Sequence, residues 1–165
     1  MRIDVLEKPG GQWCRHCTPG RGCGVYDERP PVCSDFSCLW LMEPSLPDSV
    51  RPDRSKLVIT GSGPQVMNVH CDPAEPMAWR REPMIGFLRE MARNPGGPPI
   101  MVLARAGTRA WVVGAADDID LGHIDPASPV RFEPAPGGGM RPVVLPPMSA
   151  EALAAEMAER RKGWT

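Results

Sequence analysis

Five of the chain's six cysteines lie within one short stretch, and that stretch offers the clearest chemistry in the sequence: Cys14, Cys17, Cys23, Cys33 and Cys38. Thiolates are soft, negatively charged ligands that suit zinc and iron–sulfur clusters. A C-x2-C pair such as Cys14 and Cys17 presents two thiolates to one metal from a single tight turn. The sequence therefore predicts that at least four of the five sulfurs bind one zinc ion, which we favour slightly, or one iron–sulfur cluster.

The number of thiols leaves the ligand set open. A structural zinc site takes four ligands, so five candidates leave either a spare thiol or a cluster. A zinc ribbon would show two C-x2-C pairs, whereas only one is present here.

A disulfide framework is the competing interpretation of clustered cysteines, and it depends on the compartment. The first 13 residues, "MRIDVLEKPGGQW", carry four charges and lack the apolar segment of a secretory signal. No run approaches the ~20 apolar residues of a membrane span. We therefore expect a cytoplasmic protein without a membrane partner, in which structural disulfides are rare.

The segment "GCGVYDERPPVCSDF" (22–36) resembles the signature Cys-x-Ile/Val-Tyr-x-x-Arg-Pro-x-x-Cys-x-x-Phe of the YkgJ-like cysteine-cluster family. The matching positions are Cys23, Tyr26, Arg29, Pro30, Cys33 and Phe36. The resemblance implies a zinc- or iron-chelating domain, and some larger members of the family are linked to protein methylation. The fuller C-x-x-C-x-x-C-C segment found upstream in many members is missing here.

The neighbours of the cysteines have two interpretations each. Arg29 would neutralise a site rich in thiolates, or pair with Asp27 or Glu28 at the surface. Tyr26 would hydrogen-bond the site or, as we favour, cover it as a packed ring. We expect three further aromatic side chains to shield the metal from water: Trp13, Phe36 and Trp40.

Composition bounds the remaining functions. A hydrophobic content of 42% and a net charge of -1 exclude a chain that is intrinsically disordered because of high net charge and low hydrophobicity. They also give no sign of the basic surface that nucleic-acid binding requires. We expect no nucleic-acid partner.

The pattern of elements predicts an α+β fold, with a metal-stapled cysteine-rich region (1–42) packed on a small, mostly antiparallel sheet with two helices (43–165). Strands are predicted at "KLVIT" and "QVMNVH", and two more surround "AGTR". A helix is predicted over residues 82–93, ending at "NPGG". An alanine- and glutamate-rich C-terminal helix should begin at Ser149.

Three weaker signals favour structural roles. His16 lies inside the C-x2-C turn, where side chains usually point away from the metal. Cys71, beside His70, is typical of a small buried hydrophobe. The acidic stretch 117–125 is interpreted as a solvated loop rather than a second metal site, because it lacks calcium-loop spacing.

These observations favour a non-enzymatic metalloprotein whose α+β part is a platform for a protein partner. The alternative is an iron–sulfur redox protein, sensor or enzyme component, acting in electron transfer or protein modification.

Overall fold

The protein is described by a computed structural model that covers residues 6–8, 14–18, 21–62, 65–136, 140–149, 152 and 155. The strands are β1 (Cys17–Thr18), β2 (Gly22–Cys23), β3 (Leu57–Gly61), β4 (Val66–Cys71), β5 (Met101–Ala106), β6 (Arg109–Val113), β7 (Asp118–His123), β8 (Val130–Pro134) and β9 (Met140–Val144). The α-helices are α1 (Pro31–Ser34), α2 (Leu39–Met42), α3 (Pro52–Ser55) and α4 (Met84–Arg93). Short 3-10 turns lie at Asp48–Val50 and Ala78–Arg80. The predicted α+β class is confirmed.

A five-stranded sheet with the strand order β3-β4-β5-β6-β7 forms the centre of the molecule. Three of its four strand pairs are antiparallel, as predicted. The exception is β4 with β5, which run parallel with Val66 opposite Met101 and His70 opposite Arg105. A parallel pair requires a crossover connection, and α4 lies in that connection.

The helix α4 packs its apolar stripe on one face of the sheet. Met84, Leu88 and Ala92 are buried one turn apart, as the spacing of apolar residues in 82–93 predicts. The helix ends at Asn94, which takes a left-handed conformation with φ 41° and donates from Nδ2 to Pro98 O at 2.7 Å. The predicted stop at "NPGG" is therefore confirmed.

The main core lies between α4 and the sheet. Trp79 and Trp111 are fully buried there, with ring centroids 5.7 Å apart and planes tilted by 44°. A smaller cluster covers the opposite face of the sheet, where Val130 and Phe132 of the separate β8–β9 ribbon pack on Leu103 and Val112. The central strands are thus buried on both faces.

The acidic stretch 117–125 is not a loop, so that prediction is wrong. Most of it forms β7, the edge strand that pairs with β6. The backbone supplies the ladder hydrogen bonds whatever the side chains are. The charges are offset by arginines from other elements, including Arg109, whose Nη2 lies 2.7 Å from Asp120 Oδ2.

The predicted C-terminal helix is visible only at its start. Ser149 Oγ accepts the backbone N–H of Ala152 at 3.1 Å, which is the bond of an N-cap, and the rest of 149–163 lies largely outside the described residues. Within the part of the chain that the structure describes, no helix is long and apolar enough to cross a membrane.

Candidate metal centre

The first three candidate cysteines lie on a short β-ribbon and the turn that leads into it. Cys17 N–H donates to Cys14 O at 2.9 Å, which closes the C-x2-C turn that the spacing predicts. The strands β1 and β2 then pair antiparallel, with Cys17 directly opposite Cys23. Gly24 N–H donates to His16 O at 2.7 Å and extends the ribbon by one residue on each side.

The other two candidates lie on one-turn helices that follow the ribbon. Cys33 is in α1, where its N–H donates to Pro30 O at 2.8 Å, and Pro31 occupies the first turn, where a missing N–H costs nothing. Cys38 is the N-cap residue of α2, with no side-chain cap hydrogen bond, and its exposed fraction is only 4%. Its thiol is therefore shielded from water.

The helix α2 joins the cysteine-rich segment to the rest of the fold. Leu39 and Trp40 pack against the main core, so Trp40 contacts the sheet side of the molecule. Leu41 and Met42, on the same helix, are 63% and 69% exposed. Phe36 is half-buried, and Trp13 lies outside the described residues.

Arg29 and Tyr26 contact each other. Arg29 Nη1 donates to Tyr26 O at 2.6 Å, and the guanidinium carbon lies 4.0 Å from the centroid of the Tyr26 ring. The ring itself is 61% exposed. No ion pair joins Arg29 to Asp27 or Glu28, all of which are described. The guanidinium thus stabilises the loop between the ribbon and α1 by a cation–π contact and a backbone bond.

The candidate thiols are chemically available, but they are not grouped as a metal would hold them. None of the six cysteines is in a disulfide. Among the residues that the structure describes, no three or more His, Cys, Asp or Glu side chains come together as a metal-binding group. His16 is half-buried and its Nε2 accepts a long bond from Arg15 Nε at 3.4 Å. The arrangement therefore pairs Cys17 with Cys23 without assembling a four-ligand set.

Cys71 lies in a different environment. It is buried in β4 as part of the main core, and this burial raises the pKa of its thiol to about 12. At neutral pH the thiol is protonated, whereas a metal ligand must be a thiolate. Cys71 therefore has the character of a small core hydrophobe.

One polar cluster could not be found from the sequence. Arg80 and Arg89 approach Asp118 Oδ2 at 3.8 and 3.7 Å around a cavity of about 400 Å³. Both distances are too long for a hydrogen bond. Arg89 Nε and Asp118 Oδ1 are buried and have no hydrogen-bond partner among the described residues. Arg80 also stacks on the buried Trp79, at 4.7 Å from the ring. No local motif predicts this cluster, because the fold of β6–β7 brings Asp118 to residues far away in the sequence.

Searches against protein-family models, curated proteins and solved structures found nothing that matches this chain. Function is therefore inferred from the residues and their arrangement.

Proposed function

We propose that the protein is a metal-binding protein in which at least four of the five clustered cysteines chelate zinc, or alternatively an iron–sulfur cluster. The observation that carries the proposal is the ribbon, which sets Cys17 opposite Cys23 beside the closed Cys14–Cys17 turn. A turn of this kind next to a two-stranded ribbon is suited to presenting thiolates to one metal ion. The resemblance to the YkgJ-like family is part of the same proposal.

The donor chemistry fits zinc or an iron–sulfur cluster, since five thiols are present and none is in a disulfide. Their arrangement is incomplete, because no group of three donors is assembled within the described residues. Metal sites in small cysteine-rich segments commonly form together with the fold around them, so binding would order the ligands that the free segment leaves apart. Cys14, Cys17, Cys23, Cys33 and Cys38 would hold the metal, which supplies structural cross-linking.

The chain's own residues would complete the surroundings of such a site. Arg29 sits two residues before α1 and offers a positive charge beside a set of thiolates, which carries net negative charge when zinc is bound by four of them. Cys38 lies in a shielded position, so its sulfur would be protected from exchange with water. The proposal requires a reducing compartment such as the cytosol, in which thiols remain free.

The exposed apolar side chains of α2 support a role as a platform for a protein partner. Leu41 and Met42 lie three and four residues after Cys38, on a helix whose other two side chains, Leu39 and Trp40, pack on the core. Ordering of Cys38 by a metal would fix the position of these two side chains. No described feature supplies a reaction, and we propose a non-enzymatic role.

Anaerobic purification followed by elemental analysis and an absorption spectrum tests the proposal. Stoichiometric zinc without visible absorbance is the expected result. Iron with acid-labile sulfide and a band near ~400 nm would select the iron–sulfur alternative. Protein free of both metals after reconstitution would overturn the proposal.

Two variants sharpen this measurement. Cys17→Ser with Cys23→Ser should abolish stoichiometric metal, because three candidate thiols then remain and a structural zinc site takes four ligands. The matched control is Cys71→Ala, which removes a buried thiol from the sheet core and should retain the metal. Loss of metal in the Cys71→Ala protein would contradict the assignment.

A further inference from the structure

The cross-strand position of Cys17 and Cys23 has a consequence that does not require a metal. We propose that these two residues form a site of reversible oxidation, at which a peroxide converts the two thiols into a disulfide across the β1–β2 ribbon. Formation of this disulfide depends only on the geometry of the ribbon, so the proposal goes beyond the proposed chelation of a metal.

The hydrogen bonding of the ribbon decides whether such a bond fits. Gly24 N–H donates to His16 O, so residues 16 and 24 form a hydrogen-bonded pair. Pairs alternate along an antiparallel ladder, and Cys17 and Cys23 therefore form a pair without hydrogen bonds, for which Cα atoms are about 4.5 Å apart. A disulfide spans Cα separations of roughly 4.4–6.8 Å. A pair of this type therefore has Cα atoms within the range that a disulfide spans.

The orientation of the side chains also fits. Directly opposite residues on an antiparallel ribbon project from the same face, so the two thiols lie on one side of it. Gly22, which precedes Cys23 in β2 and pairs with Thr18, has a φ of +98° that is accessible to glycine without strain. A slip of one residue would place the thiols on opposite faces.

Exposure selects the thiol that reacts first. Cys23 is exposed and Cys17 is half-buried, whereas Cys38 and Cys71 are buried. Oxidation by a dissolved peroxide requires access and a thiolate. Cys23 is therefore the attacking residue and Cys17 the resolving residue.

The reaction balances with hydrogen peroxide as the oxidant. The Cys23 thiolate attacks one peroxide oxygen, the O–O bond breaks, and a sulfenic acid forms with release of hydroxide. The Cys17 thiolate then attacks the Cys23 sulfur, an S–S bond forms, and the second hydroxide leaves. The two protons of the original thiols convert both hydroxides to water. Two thiols are oxidised by two electrons, and one peroxide is reduced to two waters.

Oxidation would compete with the proposed metal. A disulfide between Cys17 and Cys23 withdraws two of the five candidate ligands and leaves Cys14, Cys33 and Cys38, fewer than the four of a structural zinc site. By linkage, a metal that needs the reduced pair also protects it from the peroxide. This step rests on the proposed function, whereas disulfide formation in the metal-free protein does not.

The test uses the full chain, reduced and stripped of metal with a chelator, then treated with hydrogen peroxide and alkylated. Trypsin and a glutamate-specific protease cut after Arg15, Arg21 and Glu28, so that Cys14, Cys17 and Cys23 fall on separate peptides. Mass spectrometry should find the Cys17 and Cys23 peptides joined, two hydrogens lighter than their sum and released by dithiothreitol. The count of free thiols should fall from six to four.

Variants identify the pair. Cys17→Ser and Cys23→Ser should each abolish the fast loss of two thiols, and the control Cys71→Ser should leave it unchanged. Tryptophan near-ultraviolet circular dichroism, which reports on the buried Trp79–Trp111 pair, verifies that each variant keeps its core. A predominant disulfide between other residues, a disulfide between two chains, or irreversible oxidation without a cross-link would overturn the proposal.

A second arm separates this inference from the metal proposal. Zinc added before the peroxide should slow formation of the Cys17–Cys23 disulfide at least tenfold. Equal rates with and without zinc would contradict the proposed chelation by these cysteines but leave the oxidation site in place.

Discussion

The cysteine-rich segment and the five-stranded sheet of this protein are ordered by different means. In the sheet and α4, the buried side chains form a continuous core around Trp79 and Trp111. Between residues 14 and 42, Cys38 is the only buried residue that the structure describes. Burial of apolar surface is the dominant stabilising term in folding, at roughly 25 cal/mol per Å². The sheet has this term and the cysteine segment largely lacks it, so we propose that metal–thiolate bonds would supply much of the order of that segment.

Metal removal should cause the largest difference in amide protection between the two regions. If the proposed metal is bound, we expect a strong chelator to abolish amide protection between Cys14 and Cys38, because metal–thiolate bonds would take the place of an apolar core there. Protection should persist in β3 to β7 and α4, where the backbone is covered by apolar side chains. Hydrogen exchange with and without chelator measures this difference. A single collapse of the whole chain, or unchanged protection of the cysteine loops, would break the comparison.

Substitution of Trp111 by alanine should have the next largest effect. The ring is buried against Trp79 at 5.7 Å between centroids, so Trp111→Ala should lower the free energy of unfolding by about 3–5 kcal/mol. Tyr26→Ala removes an aromatic ring of the cysteine segment that is 61% exposed, and it should cost less than about 1 kcal/mol. Urea denaturation followed by circular dichroism compares the two variants. Equal losses would mean that the cysteine segment has a hidden core.

The β6–β7 turn offers a smaller, purely steric test of the sheet. A methyl group at Gly114 would overlap Asp117 O, the atom that accepts the Gly114 N–H at 3.1 Å. Gly114→Ala should therefore cost about 1–3 kcal/mol of unfolding free energy by forcing the turn open. Gly96→Ala is the matched control, because a methyl group there meets nothing within 4 Å. If thermal denaturation shows similar losses for both variants, the cost does not arise from this contact.

The smallest expected effect is a pH dependence that belongs to the core thiol. The pKa of Cys71 is raised to about 12 in the folded protein, against about 8.5 in an unfolded chain. The unfolded chain then loses the proton first, so the stability from this group is complete below about pH 8.5 and is lost as the pH rises towards 12. Near pH 9.5 the loss should be about 1 kcal/mol. Unfolding measured at about pH 8.5 and about pH 9.5 should show the dependence in the natural protein and not in Cys71→Ala.

Local pattern predicted much of the sheet and its main helix. "KLVIT", "QVMNVH" and the stripe in 82–93 carry their own periodicity, and all three form the predicted elements. The parallel pairing of β4 with β5 was not predictable in this way, because it depends on a crossover rather than a turn. β7 was missed because its acidic side chains are typical of a loop, although its backbone pairs with β6.

The candidate site was also predictable only in its local features. The spacing of Cys14 and Cys17 predicts their turn, which the structure contains. The register that sets Cys17 opposite Cys23 was not predictable, because strands of two residues have no periodicity that would reveal it. Binding of one metal by four of the five sulfurs stays a prediction, because the choice of ligands would depend on the metal and the segment jointly.

The parallel pair β4–β5 also determines the order in which the sheet can assemble. The two strands β3 and β4, and the three strands β5, β6 and β7, follow one another through short connections, so each group can form while contacts are still local. The seam between β4 and β5 must wait until residues 72–100, with α4, have folded back, because closing a longer loop has a larger entropic cost. During synthesis the β3–β4 hairpin therefore emerges with β4 unpaired along one edge, and an unpaired edge invites pairing with another chain. We expect aggregation of the nascent protein to be governed by how quickly β5 reaches β4.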